Sequence, residues 1–325
     1  MRRRDVLIAA SAWGALAATR ARAQAKKPRL IGWLSPFTKE NQKDVLRDFS
    51  SDLARLGQVE GRDYVIEGRW TGGSVEPLPA LARELVALGP ALIMTAGTAA
   101  IAALKAASDK VPVVFLGVGD PVAAGFVASL ARPGGNITGV MLRPELGGKI
   151  FDLMRETLPA VRRVALLEHE GDPATSRISV LFRRTASALQ YDLLAVRVTR
   201  IENIDRAFVE AVNGKCGAMI VPQQSLFLNH AQRIGELSVK SRIPVFSTWR
   251  AFTEAGGLLS YSAPLREMTA RGAALVDKIL RGASPAELAV EQPDRYTLVI
   301  NGRTAKSLGI KLPQSVLISA DEVIE

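Results

Sequence analysis

From residue 29 onward, short apolar runs alternate with amphipathic stretches of helix length, and this alternation restricts the chain to few folds. Residues 29–35 (RLIGWLS), 64–69, 91–97 (ALIMTAG) and 111–117 (VPVVFLG) predict strands. Residues 40–56, 77–88 and 98–108 predict the intervening helices; Gly57 closes the first, and Pro77 opens the second where a helix tolerates proline. Strands separated by helices predict βαβ units and a parallel sheet. The rhythm pauses at Pro133-Gly134-Gly135-Asn136 and NITGVML, then resumes. The second run predicts helices over 146–158, 175–190, 204–212 and 228–241, with strands RVALLEH, LLAVRV, GAMIVP, IPVFS and GGLLSYS.

Two runs of this length exceed one small sheet. The expected fold is α/β, with two doubly wound parallel-sheet (Rossmann-like) lobes joined by a multi-strand hinge. The tail adds a helix over 265–280 and a strand-helix pair in RYTLVINGRTAKSLGI. A tail serving both lobes makes the chain cross between them more than once. The expected division is residues 28–140 plus about 263–292 for one lobe, and 141–262 plus about 293–325 for the other.

The first 23 residues read as an export signal. A basic start is followed by an apolar stretch from 6 to 18, too short to anchor in a bilayer, and Ala21-Arg22-Ala23 forms a small-residue cleavage site. Arg3-Arg4-Asp5-Val6-Leu7 has the layout of a twin-arginine signal. No cysteine follows the apolar core to accept a lipid, and Cys216 is the single cysteine of the chain, so no intrachain disulfide forms. A soluble periplasmic protein without a lipid anchor is expected. The formal charge of +10 is less basic than it looks, because five arginines against Asp5 in that leader supply four of the charges. The remainder is scattered in short pairs such as Arg162-Arg163 and Arg183-Arg184, not in a stripe, and nucleic acid is not an expected partner.

In open α/β sheets, ligands bind outside the carboxyl ends of the strands. The shortlist is therefore Ser35, Thr95, Gly97, Thr98, Gly119, Asp120 and Pro121 in the first lobe. In the second it is Glu168, His169, Gln223, Thr248, Trp249 and Tyr261. In MTAGTAA, Gly97 allows close backbone approach and Thr98 caps a helix beginning at Ala99, so free N–H groups and a positive dipole end suit a carboxylate. Gly117 and Gly119 open like a dinucleotide loop, but Val122 stands where the third glycine belongs, and no Gly-Lys-Ser/Thr P-loop occurs. Asp120 either caps a helix started by Pro121 or meets a ligand ammonium, and a carboxylate has acceptor sites for both. His169 and His230 lie in different segments without metal-ligand spacing, so no metal or cofactor is expected. No G-x-S-x-G elbow occurs, Cys216 reads as core, and His169 reads as a cleft-lining, surface or hinge residue; no catalytic set emerges. Trp249 and Tyr261 offer rests for an aromatic or apolar ligand, or packing.

Several blocks resemble the ABC transporter substrate-binding proteins of the tryptophan/tyrosine-binding type. They are IGWLS at 31–35, RLGQVEGRDYVIEGRW at 55–70, TAGTAA at 95–100 and GDPVAAGFVASLARPGGNITGV at 119–140. The match continues through FTEAGGLLSYS at 252–262, KILRGASPAEL at 278–288 and LVINGRTAKSLGIKLP at 298–313. The resemblance implies the type I periplasmic-binding architecture, closing on a small ligand and presenting it to an ABC permease in the inner membrane. It also implies that Ser35, Thr95, Gly97 and Thr98 hold a ligand carboxylate and that Asp120 meets an ammonium. The second lobe departs from the family pattern at Glu168-His169-Glu170, where many relatives have an Asn-rich stretch.

The expected function is a monomeric, non-enzymatic solute-binding protein of an ABC importer. It captures an amino acid or an aromatic or organic acid by hinge closure. An exported sensor for a signalling partner is the alternative. A two-lobed transcription regulator would need a helix-turn-helix where the leader stands.

Overall fold

The computed structural model describes residues 27–143 and 146–325, so the expected export signal lies outside the described residues. The first lobe is built on strands β1 (Arg29–Ser35), β2 (Tyr64–Trp70), β3 (Leu92–Ala96), β4 (Val113–Val118) and β5 (Ile137–Met141). They pair in the order β2-β1-β3-β4-β5, all parallel. β1, β3 and β4 carry near-continuous apolar runs because helices cover both faces of the sheet. Trp33, Phe49, Tyr64, Met94 and Leu275 fill the core on one face, and Leu85, Ile93, Ile101 and Phe115 that on the other. The Trp33 ring meets Phe49 edge-on at 5.3 Å, and Trp70 lies 6.5 Å from Trp33, which assigns both tryptophans to packing.

The second lobe contains β6 (Arg163–His169), β7 (Asp192–Val198), β8 (Ala218–Val221), β9 (Val245–Ser247), β10 (Leu259–Ser262), β11 (Thr297–Asn301) and β12 (Glu322–Ile324). Their order is β12-β11-β10-β9-β8-β6-β7, and the β10–β11 pair alone among these is antiparallel. Two parallel α/β lobes were expected, and they are present. The helix expected over 228–241 is broken: Ser225–Leu228 and Ala231–Ser241 are separate, with Asn229 and His230 between them. NITGVML, read as a pause, supplies the edge strand β5. The short helices Arg250–Glu254 and Gln314–Ser319 and the strand β12 were not anticipated.

The chain passes between the lobes near Met141, after Ser262 and again before Thr297, and the passing segments hold one another. Met141 N donates to the Glu291 carbonyl at 2.9 Å, and Glu291 N donates to the Gly139 carbonyl at 2.9 Å. Arg143 N donates to Tyr296 Oη at 2.9 Å, and the Tyr296 ring stacks on Tyr261 at 5.8 Å. Helix Leu265–Leu280 lies on the first sheet beside helix Lys43–Arg55. Arg266 fixes it there through a bidentate grip on the buried Asp52. Among the described residues no helix is long and apolar enough to cross a membrane.

Gly139 is the tightest backbone approach beside these crossings. A Cβ there would stand 2.2 Å from the Phe115 carbonyl oxygen and 2.6 Å from Phe115 Cγ. Gly139→Ala therefore has to push β5 off β4. We expect a loss of about 3 kcal/mol in unfolding free energy, read from urea denaturation; an unchanged midpoint would contradict the packing described.

Candidate functional site

Because the sheet of the first lobe is wholly parallel and that of the second nearly so, the ends of both sheets converge on one cleft. Its volume is about 550 Å³. On the first-lobe side, Pro36 and Phe37 follow β1, Gly97 to Ala99 follow β3, and Gly117 to Asp120 end β4. On the second-lobe side the walls are helix Thr175–Ala188, the turn from Pro222 to Ser225, and Thr248.

The β3 end is shaped by Gly97, whose φ of +80° turns the strand directly into helix Thr98–Ala107. Thr98, expected to cap a helix starting at Ala99, is instead the first helical residue; Gly97 holds the cap position and no side chain caps the helix. The N–H groups of this first turn have no intrahelical partner and stand at the cleft with the positive end of the helix dipole. At the β4 end the register shifts between Leu116 and Val118, a bulge that re-aims the chain. Gly117 there has φ +74°, and a Cβ on it would come within 3.0 Å of Gln223 Nε2, so the two lobes nearly touch at this point. Gln223 Oε1 is buried at the cleft without a hydrogen-bond partner among the described residues.

The predicted residues divide into two groups. Gly97, Thr98, Gly119, Asp120, Gln223 and Thr248 line the cleft. Asp120 Oδ1 accepts Ala123 N at 2.9 Å, so it caps a turn; no helix follows Pro121, which is buried under that turn. Ser35 and Thr95 lie beneath the floor. Ser35 Oγ accepts Phe37 N at 3.2 Å, and Thr95 Oγ1 donates to the Leu34 carbonyl at 2.9 Å. Ser247 repeats this arrangement in the second lobe, accepting Trp249 N at 3.1 Å and donating to the Val221 carbonyl at 2.8 Å. Such serines hold strand-end turns in shape. Trp249 packs beside the second-lobe core and Tyr261 stacks at the crossing segments, so neither lines the cleft.

Glu168 faces away from the cleft, into a neighbouring cavity of about 610 Å³. Its carboxylate accepts Ser179 Oγ and lies 3.7 Å from Arg183 and 3.6 Å from Arg197. His169 is 4% exposed, with its ring in a T-shaped contact with Phe227 and its Nδ1 buried without a partner among the described residues. Its backbone N–H donates to Gln224 Oε1 at 3.2 Å, and Gln224 Nε2 donates to Thr175 Oγ1 at 2.8 Å, which ties the β6 end to the β8 turn.

Sequence reasoning missed Phe37, Arg143, Arg177 and Arg184 as lining residues, and Asn229 as a bridge between lobes. Asn229 Oδ1 accepts Thr38 N at 3.2 Å and Asn41 Nδ2 at 3.0 Å, while its Nδ2 donates to the Pro36 carbonyl at 3.2 Å. The spacing of Arg177 and Arg184, two helical turns apart after a strand end, was a readable signal. Asn229 offered none, because it fell in the first turn of the helix expected over 228–241.

Residues 41–324 match the family described as ABC transporter substrate binding protein. The chain belongs to that family. Membership places it among binding proteins rather than enzymes. A tyrosine-binding protein of Clostridioides difficile (strain R20291) is 21% identical over 299 residues, which cover 92% of this chain and 84% of the relative. Among solved structures, an ABC domain from Streptococcus pneumonia in complex with L-Trp aligns with a TM-score of 0.84 at 24% identity, covering 92% of this chain and all (100%) of that one. A conserved domain protein from Vibrio cholerae aligns with a TM-score of 0.86 at 22% identity, covering 91% and 100% respectively. These likenesses agree with the two-lobed fold of periplasmic binding proteins.

Burial holds the His169 imidazole below its ordinary pKa, against the opposing charges of Asp172 and Glu76. The folded protein then binds fewer protons than the unfolded chain below about pH 6.5. Its stability should be full above that pH and decline as the pH falls toward the depressed folded value. His230, also shifted down by burial, contributes in the same direction. We expect urea denaturation near neutrality and at about pH 5 to show this decline, and His169→Asn to flatten it in part. An identical pH slope in the variant would contradict the burial of a neutral imidazole.

Proposed function

We propose that this protein is a periplasmic solute-binding protein of an ABC importer, capturing a small carboxylate-bearing ligand between its lobes by hinge closure. The cleft carries this reading: a helix N-terminus and a glycine-rich strand end on one lobe face polar and apolar side chains on the other. A carboxylate is seated by the first-turn N–H groups and hydroxyl of Thr98, and Asp120 stands near enough to the same wall to accept from a ligand donor. Phe37, Leu142 and Ile178 provide apolar surface for a ligand body. The tyrosine-binding relative and the L-Trp complex support an aromatic amino acid or a related acid as the ligand class. In this reading the lobes are residues 28–140 plus about 263–292 and residues 141–262 plus about 293–325. The protein works as a monomer, and an inner-membrane permease receives its cargo.

A thermal-shift screen of the mature protein with amino acids, aromatic acids and other small carboxylates tests the proposal. A ligand at a hundredfold excess over its Kd should stabilise the protein by about 2.7 kcal/mol, and scattering should report a more compact particle. No shift with any compound, and equally open scattering throughout, would overturn it. With a hit in hand, Thr98→Ala should weaken binding about tenfold without lowering the stability of the free protein.

Asn229 does not line the cleft, yet it hydrogen-bonds the first lobe from the second. Asn229→Ala should therefore raise the ligand Kd by about tenfold through a less populated closed form. An unchanged Kd would remove the bridge from the closure mechanism.

A further inference from the structure

The charges in the cleft are unevenly committed. Arg143, Arg177 and Arg184 all line it, and none has an ion pair or a side-chain hydrogen bond among the described residues. Arg183, on the same helix as two of them, is by contrast engaged with Glu168. Arg177 and Arg184 are seven residues apart, so both project from one face of helix Thr175–Ala188, while Arg143 reaches the cleft from the end of β5. All three residues are exposed, so water hydrates their guanidinium groups, and an arriving anion gains their attraction without having to break an ion pair.

The acids of the same region each already accept one hydrogen bond. Asp120 Oδ1 accepts Ala123 N at 2.9 Å, and Asp172 Oδ1 accepts Ala174 N at 2.8 Å. Glu168 is directed out of the cleft onto Ser179, and Glu170 accepts Thr199 Oγ1 at 3.1 Å. On the opposite wall, the N-terminus of helix Thr98–Ala107 adds positive potential to that of the arginines. The lining thus sets three guanidinium groups and a helix N-terminus against two partly committed carboxylates, Asp120 and Asp172, so a net-anionic ligand meets an excess of complementary charge that an added ammonium would offset.

We infer that the cleft selects a net-anionic organic acid over the zwitterionic amino acid of the same shape. This rests on the solute-capture reading above and narrows its ligand class. Calorimetric titration of matched pairs tests it: phenylalanine with 3-phenylpropanoate, tyrosine with 3-(4-hydroxyphenyl)propanoate, and tryptophan with indole-3-propanoate, each at low and high salt. In every pair with a binding member, the acid without the amino group should bind tighter by about tenfold, and the advantage should shrink as salt rises. The double variant Arg177→Gln, Arg184→Gln should lose that advantage while keeping the wild-type circular dichroism spectrum and melting temperature. Amino acids that bind as tightly as their partners, or an advantage that survives in the double variant, would overturn the inference and leave solute capture standing. Absence of binding by every member of the panel would count against both.

Discussion

The hydrogen bonds between neighbouring inter-lobe segments are the constraint on which this architecture depends. The chain leaves the first sheet at Met141, returns after Ser262 and leaves again before Thr297, and these passages are bonded side by side. Glu291 accepts from Met141 and donates to Gly139, while Tyr296 receives Arg143 N and stacks on Tyr261. A single linker would leave the two cleft walls free to drift. Adjacent bonded passages hold walls from distant parts of the chain facing each other. Helix Leu265–Leu280, held on the first sheet by Arg266 and Asp52, is what makes the return passage necessary.

The site follows from parallel pairing more than from any one side chain. Parallel strands direct their carboxyl ends to one rim, and each rim ends in tight turns that leave backbone N–H groups uncovered. Gly97 and Gly117 adopt positive φ at two of these ends, which brings main chain to the cleft wall. Serine and threonine hydroxyls stabilise the turns from below, as Ser35 and Ser247 do in the two lobes. Such a wall presents main-chain donors to the cleft, while the other lobe presents mainly side chains.

Much of this was legible in the sequence. Long parallel strands such as β1 and β4 announce themselves as apolar runs because both sheet faces are covered, and glycine and proline punctuate the helices between them. Helix Leu265–Leu280 was readable to its ends. Strand β12 and helix Gln314–Ser319 were not, since a three-residue strand and a six-residue helix are too short to show a period. The break at Asn229 was hidden because neither Asn229 nor His230 forbids a helix; tertiary bonds to Pro36 and Thr38 decide it.

At the site itself, sequence located the strand ends but not the direction of each side chain. Successive residues of a strand point to opposite faces, and the following turn adds its own rotation, so a residue at a strand end faces either the cleft or the core. Thr95 and Thr98 illustrate the two outcomes only three positions apart: one hydroxyl is sealed against the Leu34 carbonyl, the other stands at the cleft. Tyr261 resolves the same way, toward the crossing segments and Tyr296, through a contact that joins residues 35 positions apart and leaves no local trace. Backbone-built walls are therefore inherited with the fold, whereas charge at the cleft is set by residues such as Arg177 and Arg184 that the fold does not require.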